Sequence, residues 1–301
     1  MQIKKIKQKA QSLSKIIKIV ESKKNITLIN ILKLSKQISF YFERASESKR
    51  LIEVLSKKYA IDLELLKHDN GSFFSLFSKN KAKFNKNLWI YITEIEQYET
   101  NSYSKHEKAL LANVQVEDPI IAIGLRAMEF CTNNNMNLIY SQDENDVEGL
   151  TKILPSIIQN YLKLNGFHNV RFVINSSKLK QSYLEILPLN ELNFNLKQNK
   201  MDLEERVDLK KLHIYPNVDS FVENELNSYL TYMTLTLLSE SAVIYQKYKL
   251  VAENQKINDL EQKQKELRLA TLRAKREYEV EQISLLSKKK DLLHLLRGNN
   301  D

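Results

Sequence analysis

The chain has 301 residues, 46 Lys and Arg against 37 Asp and Glu, and a formal net charge of +9. Residues 1–36 hold ten lysines and one acid, so the whole net charge lies there; the other 265 residues are neutral, with 36 basic and 36 acidic side chains. Five glycines and four prolines, against ordinary usage of about 7% and 5%, exclude a loop-rich, all-β or disordered chain. The single cysteine, Cys131, excludes an intramolecular disulfide and any multi-cysteine metal site, and suits a reducing cytoplasm. No run of about 18 apolar residues offers a membrane span, and the N-terminal lysines are not followed by a signal-peptide apolar stretch. A soluble protein with a core is expected.

The breakers fall unevenly. All four prolines and four of the five glycines lie between residues 71 and 216, leaving 1–70 and 217–297 without either. Glycine costs about 1 kcal/mol and proline about 3 kcal/mol inside a helix, so two long helices are expected around a compact domain. Stepping by alternate threes and fours from Ile3 to Tyr59 meets seventeen positions, of which fourteen are apolar or aromatic; only Lys24, Thr27 and Ser48 are not. A 3.5-residue repeat held this long predicts a left-handed coiled coil, with helix over some 55 residues reaching about 80 Å.

Between the helices the pattern changes. Leu88–Ile95 and Pro119–Ile123 read as strands, Leu125–Asn133 as helix and Asn137–Tyr140 as a weak strand. Val147–Leu164 reads as an amphipathic helix kinked or interrupted at Pro155. Val170–Asn175 and Ser182–Leu187 read as further strands. Strands alternating with helices predict a parallel βαβ-type sheet. In the last segment the same stepping from Ile257 to Leu295 gives eight apolar positions in twelve. A soluble helix that long, about 120 Å if continuous, needs a partner, and the first helix folded back antiparallel is the obvious one. The expected architecture is therefore α+β/α: an antiparallel coiled coil of N-terminal (1–70) and C-terminal (217–297) helices with a small Rossmann-like α/β domain (85–195) inserted.

No motif carries catalytic chemistry. Gly124 follows a strand, but there is no GxGxxG or GxxxxGK[ST], so it reads as a strand-ending turn. His68, His106, His168, His213 and His294 lack ligand spacing, so no metal site is expected. Cys131 has no His/Asp arrangement beside it and reads as a buried helix residue. The aromatics Phe40, Tyr41 and Phe42 lie in or beside the heptad seam, where packing explains them better than nucleic-acid stacking. The basic first stretch calls for a polyanionic partner: acidic protein, nucleic acid or a membrane surface.

The order of these pieces resembles the γ subunit of F1-type ATP synthases. Ile6–Val20 (IKQKAQSLSKIIKIV) resembles that family's opening helix, and Ile120–Phe130 (IIAIGLRAMEF) its strand–glycine–helix element, with Arg126 in place of lysine. Val170–Asn175 and Leu187–Leu189 resemble a later strand and an LLPL run. Ser239–Ala242 (SESA) resembles the start of the long C-terminal helix, and Leu272–Ile283 (LRAKREYEVEQI) its RAR-bearing stretch. Three features depart from the family: Trp89–Glu99 lacks the glycine-rich turn that follows the first strand, the spacing between SESA and LRAKRE is longer than usual, and Asn70–Asn87 has no counterpart.

The resemblance implies a non-catalytic rotor shaft. Its coiled coil would stand in the bore of an α3β3-like hexamer that hydrolyses or makes ATP. Lys15, Lys18, Arg273 and Lys275 would contact acidic levers of the hexamer. The α/β foot, including Arg126, would lie outside the bore and couple to what is driven, with a smaller ε-like or membrane-linked subunit as a further partner. No cofactor or metal of its own and no nucleic acid are implied; the chain would be cytoplasmic, reaching the membrane only through the complex. The departures at the foot imply a specialised F1-like ATPase of the kind found in wall-less bacteria, some of them linked to gliding. The alternative from a different class is a coiled-coil tether or adaptor whose basic end binds an anionic membrane surface or nucleic acid.

Overall fold

The computed structural model describes residues 2–59, 87–95, 103–165, 169–176, 183–189, 214–215 and 217–297. The elements are α1 (Gln2–Tyr59), β1 (Asn87–Ile92), α2 (Tyr103–Asn113), β2 (Ile120–Ile123), α3 (Leu125–Asn133), β3 (Leu138–Gln142), α4 (Val147–Asn165), β4 (Asn169–Val173), β5 (Leu184–Leu187) and α5 (Val218–Arg297). The expected helix over residues 60–70 and the segment 70–86 lie outside the described residues. Two compact units form, one from Met1–Ile29 with Lys249–Asp301, the other from Asn30–Tyr248.

In the larger unit a five-stranded sheet has the order β3-β2-β1-β4-β5. β1 pairs in parallel with β2 and β4, and β2 with β3. The last pair, β4–β5, is antiparallel, which corrects the expectation of a wholly parallel sheet. Only residues 174–183 join those two strands, and a parallel crossover takes a dozen or more residues.

Side-chain alternation along the strands divides the core. Leu88, Ile90, Ile92, Ile121, Ile123, Val170 and Phe172 face one side. There they meet Leu150, Leu154, Ile158 and Leu162 of α4, Phe42, Ala45, Ile52 and Leu55 of α1, and a row of α5 from Val222 to Leu238. Trp89, Tyr91, Ile120, Ala122 and Val173 face the other side against Leu110 of α2 and Ala127 and Cys131 of α3. Covering both faces is what makes β1 and β2 read as continuous apolar runs. Cys131 is buried, as its helical position implied, and burial pushes its thiol up to about 12, far from a reactive thiolate.

Local chemistry sets the helix ends. The Asp146 carboxylate accepts from the backbone N–H groups of Glu148 and Gly149, capping α4. Asn217 Oδ1 accepts from Ser220 N at 2.8 Å and caps α5. α4 continues through Pro155, which is buried inside it. α2 was not foreseen: its buried face is Tyr103, His106 and Leu110, too polar to show as a hydrophobic repeat.

Burial in α1 follows the stepped seam. From Ile6 to Leu55 each of those positions is buried or half-buried, including the polar Lys24, Thr27 and Ser48. In the larger unit, Tyr41 stacks on Tyr232 with ring centroids 6.4 Å apart, while α1 residues back to Asn30 line a cavity with α5 residues on to Gln246. The two helices therefore run antiparallel there.

In the smaller unit the α5 seam is buried or half-buried at Ile257, Leu260, Gln264, Leu267, Thr271 and Ala274. Beyond it, every side chain described from Lys275 to Lys289 is exposed. The expected seam positions Tyr278, Glu281, Leu285 and Lys288 are thus helical but unpacked. Lys5–Ile16 of α1 already face Lys263–Ala270, so α1 ends before α5 does.

Candidate functional site

The smaller unit presents the surface on which contact residues were expected. Lys15 and Lys18 are exposed on α1, and Arg273 and Lys275 are exposed on α5. All four belong to this unit. Exposed isoleucines stand among the lysines of α1: Ile16 (44%), Ile19 (57%), Ile26 (58%) and Ile29 (63%). At about 100° per residue Ile19, Ile26 and Ile29 fall on a face turned away from the buried seam of Leu13, Ile17, Val20 and Thr27, while Ile16 flanks that seam. A helix serving only as half of a pair would carry polar residues there. Here exposed isoleucines alternate with lysines, which gives this side of α1 a mixed apolar and basic surface.

The unpacked end of α5 continues this character with exposed Tyr278, Val280, Ile283, Leu285 and Leu286. Between the helices runs a groove of about 720 Å³, floored by Leu13, Ile16, Leu267 and Ala270 and edged by Lys5, Lys9 and Lys263. The four expected residues were chosen by their positions in the family the sequence resembles; the isoleucine face was missed, although the sequence signal, apolar residues off the seam, was present.

Arg126 has an internal task. Its guanidinium grips the Glu107 carboxylate through two bonds of 2.6 and 2.8 Å and lies over the Tyr103 ring. Tyr91 Oη donates to the same carboxylate at 3.3 Å. The Arg126 bonds hold Glu107 below the ordinary carboxylate range. Arg126 thereby braces α3 against α2.

The strand order of the larger unit is one in which ligands enter a crevice beyond the carboxyl ends of the strands, where the order reverses between β1 and β4. Here that place is filled from within. Just past β1, Glu94 Oε1 accepts from Ser241 Oγ of α5 at 2.9 Å and from Asn145 Nδ2 at 2.5 Å. Just past β4, Ser176 Oγ donates to Glu240 Oε1 of α5 at 3.0 Å. The N-terminus of α3 is served by Thr93 Oγ1, which accepts from Ala127 N. The sheet edge is thus a docking seat for Ser239–Ser241 of α5. Among the described residues no group of three or more His, Cys, Asp or Glu could hold a metal ion, and no helix is long and apolar enough to cross a membrane.

No family model matches the chain. It is 32% identical over 290 residues to an uncharacterized protein of Ureaplasma parvum serovar 3, covering 96% of this chain and 94% of that one. It is 25% identical over 162 residues to the ATP synthase gamma chain of Mycoplasma capricolum subsp. capricolum, covering 50% of this chain and 57% of that one. Among solved structures it is similar to a rotor chain of the Euglena gracilis mitochondrial ATP synthase, at 12% identity and a TM-score of 0.44, covering 92% of this chain and 98% of that one. It is also similar to a chain of the Tetrahymena thermophila mitochondrial ATP synthase central stalk, at 13% identity and a TM-score of 0.38, covering 76% of this chain and 98% of that one. The sequence relatives decide the assignment: similar over half its length to an ATP synthase gamma chain, the chain belongs to the same family as the Ureaplasma parvum protein.

Proposed function

We propose that this chain is the central shaft of an F1-like rotary ATPase. The observation that carries the reading is sequence similarity to an ATP synthase gamma chain, in a protein whose long helices expose a face of isoleucine and lysine. The smaller unit would stand in the bore of a hexamer of α-like and β-like subunits, which bind and hydrolyse ATP. As each catalytic subunit closes, it pushes on a shaft that lacks threefold symmetry and so turns it. This chain contributes no reacting group. It supplies stiffness, through two helices paired as a coiled coil, and a surface whose contacts exchange readily. Exposed ion pairs of about 0–1 kcal/mol each suit such sliding better than deep interlocking.

The larger unit would remain outside the bore and carry the output. A smaller ε-like or membrane-linked subunit is the partner proposed for it, on the cytoplasmic side of a membrane. The run Trp89–Glu99 has no glycine, and that departure supports a specialised ATPase, motility-linked in our reading, over an ordinary synthase.

Native purification tests this. The chain should be recovered with two larger nucleotide-binding subunits in a 3:3:1 ratio and with ATPase activity; recovery only as a free monomer or homodimer would sink the proposal. A double variant, Ile19→Ser with Ile26→Ser, refines the test. Both side chains are largely exposed, so the isolated chain should keep its stability within about 0.5 kcal/mol per site. Burying two isoleucines against a partner contributes about 2–4 kcal/mol, so affinity for the hexamer should fall by more than tenfold. Unchanged affinity would remove the isoleucine face from the interface.

A further inference from the structure

We propose that a cavity in the larger unit, bordered by α1, α4 and α5, binds a small neutral polyhydroxy compound, a sugar or polyol. The cavity has a volume of about 250 Å³. Side-chain amides line it from Asn30 and Gln37 of α1 and from Gln246 of α5, as do the hydroxyl-bearing Tyr41 and Ser239. Gln246 Oε1 is buried with no hydrogen-bond partner among the described residues. Ser239 is only 1% exposed. Its neighbours on α5 are engaged, Glu240 by Ser176 and Ser241 with Glu94, yet the Ser239 hydroxyl forms no hydrogen bond among the described residues. Buried polar groups are normally paired, so two left open on one cavity point to an occupant that pairs them.

The lining selects the class. Its half-buried and buried polar groups are amides and hydroxyls, which carry no charge. The charged side chains that border it, Lys33 and Glu148, are exposed and of opposite sign, so they give no net preference for an ion. A hydroxyl both donates and accepts, and therefore satisfies a side-chain amide whichever way the amide is turned. Val147 and Ala242 add apolar wall. A compound with C–H groups beside its O–H groups covers both kinds of surface, which water does not. At ~30 Å³ per water the space holds about eight waters, and so a ligand of about eight to twelve non-hydrogen atoms. That is the size of a pentose, a hexose or a cyclitol.

Such an occupant bonds α1 through Gln37 and α5 through Ser239 and Gln246, and touches Val147 at the start of α4. Since α4 packs on the sheet, the ligand fastens the sheet to both long helices within one unit. The site goes beyond the rotor reading and does not depend on it. Every lining residue lies between Asn30 and Tyr248, so either reading can fail without the other.

The test uses the full chain with xylitol, ribose and myo-inositol as probes, followed by saturation-transfer NMR and titration calorimetry. At least one should bind saturably, with a millimolar or tighter Kd. Ala242→Leu, which fills part of the cavity, should weaken that binding by about tenfold or more. Should A242L fail to fold, Gln246→Leu takes its place with the same expected loss; its position is half-buried and it removes the unpaired acceptor. No saturable binding of any of the three would show that water alone fills the cavity, and overturns the site. Binding that the cavity variant leaves unchanged overturns its location. Binding of ethylammonium or acetate, with none of the three, overturns the neutral class.

Discussion

Alanine in place of Gly124 is expected to cost the larger unit about 3–5 kcal/mol, the bulk of a typical domain's stability. Gly124 has φ 96° and ψ 145°, a region that side chains with a Cβ avoid. A Cβ there would also meet the Thr93 carbonyl oxygen and its Oγ1, both far inside van der Waals contact. Neither neighbour can yield cheaply. Thr93 N donates to Ile123 O at 2.8 Å, and Thr93 Oγ1 both donates to that same carbonyl and caps α3 through Ala127 N. The glycine is required because β1 and β2 end side by side and the chain turns into α3 directly against Thr93. Urea unfolding followed by fluorescence of Trp89, the only tryptophan in the chain, measures the loss. A cost below 1 kcal/mol would mean that the turn relaxes in a way the contacts do not allow.

Asp118→Ala should be nearly as severe. This buried carboxylate accepts from Asn87 N, Asn87 Nδ2, Trp89 Nε1 and Gln115 N, all between 3.1 and 3.2 Å. It gathers the start of β1 and the turn after α2 onto one anion beneath the sheet. Removing it leaves up to four donors with no partner, each costing about 1–3 kcal/mol where water cannot reach. We expect a loss of about 4 kcal/mol or more by calorimetry, and partial recovery in Asp118→Asn, which restores one acceptor oxygen. Equal losses in both variants would show that charge rather than hydrogen-bond count holds the corner together.

These two positions mark where the sequence was readable and where it was not. The seam of α1 was legible because burial along a helix is written in local steps: Ile17, Val20, Ile38 and Ala45 recur at the spacing that faces a partner. The strands were legible as apolar runs, since β1 and β2 are covered on both faces. Asp118 gave no sign of its task, because three of its four donors come from Asn87 and Trp89 of β1, brought to it only by parallel pairing with β2. Glu94 likewise meets Asn145 and Ser241 across 51 and 147 residues of chain. The direction of β5 depended on the length of a connection rather than on composition. For the candidate interface, the family resemblance pointed to Lys15, Lys18, Arg273 and Lys275. Ile19, Ile26 and Ile29 acquired meaning only when the seam was located away from them on α1.

Rotation itself is the most direct test of the central claim. With the catalytic hexamer fixed to a surface and a bead attached through an engineered cysteine on the sheet domain, ATP should drive unidirectional turning with three dwell positions per revolution. ATP hydrolysis at full rate while a firmly bound chain stays still would contradict the account.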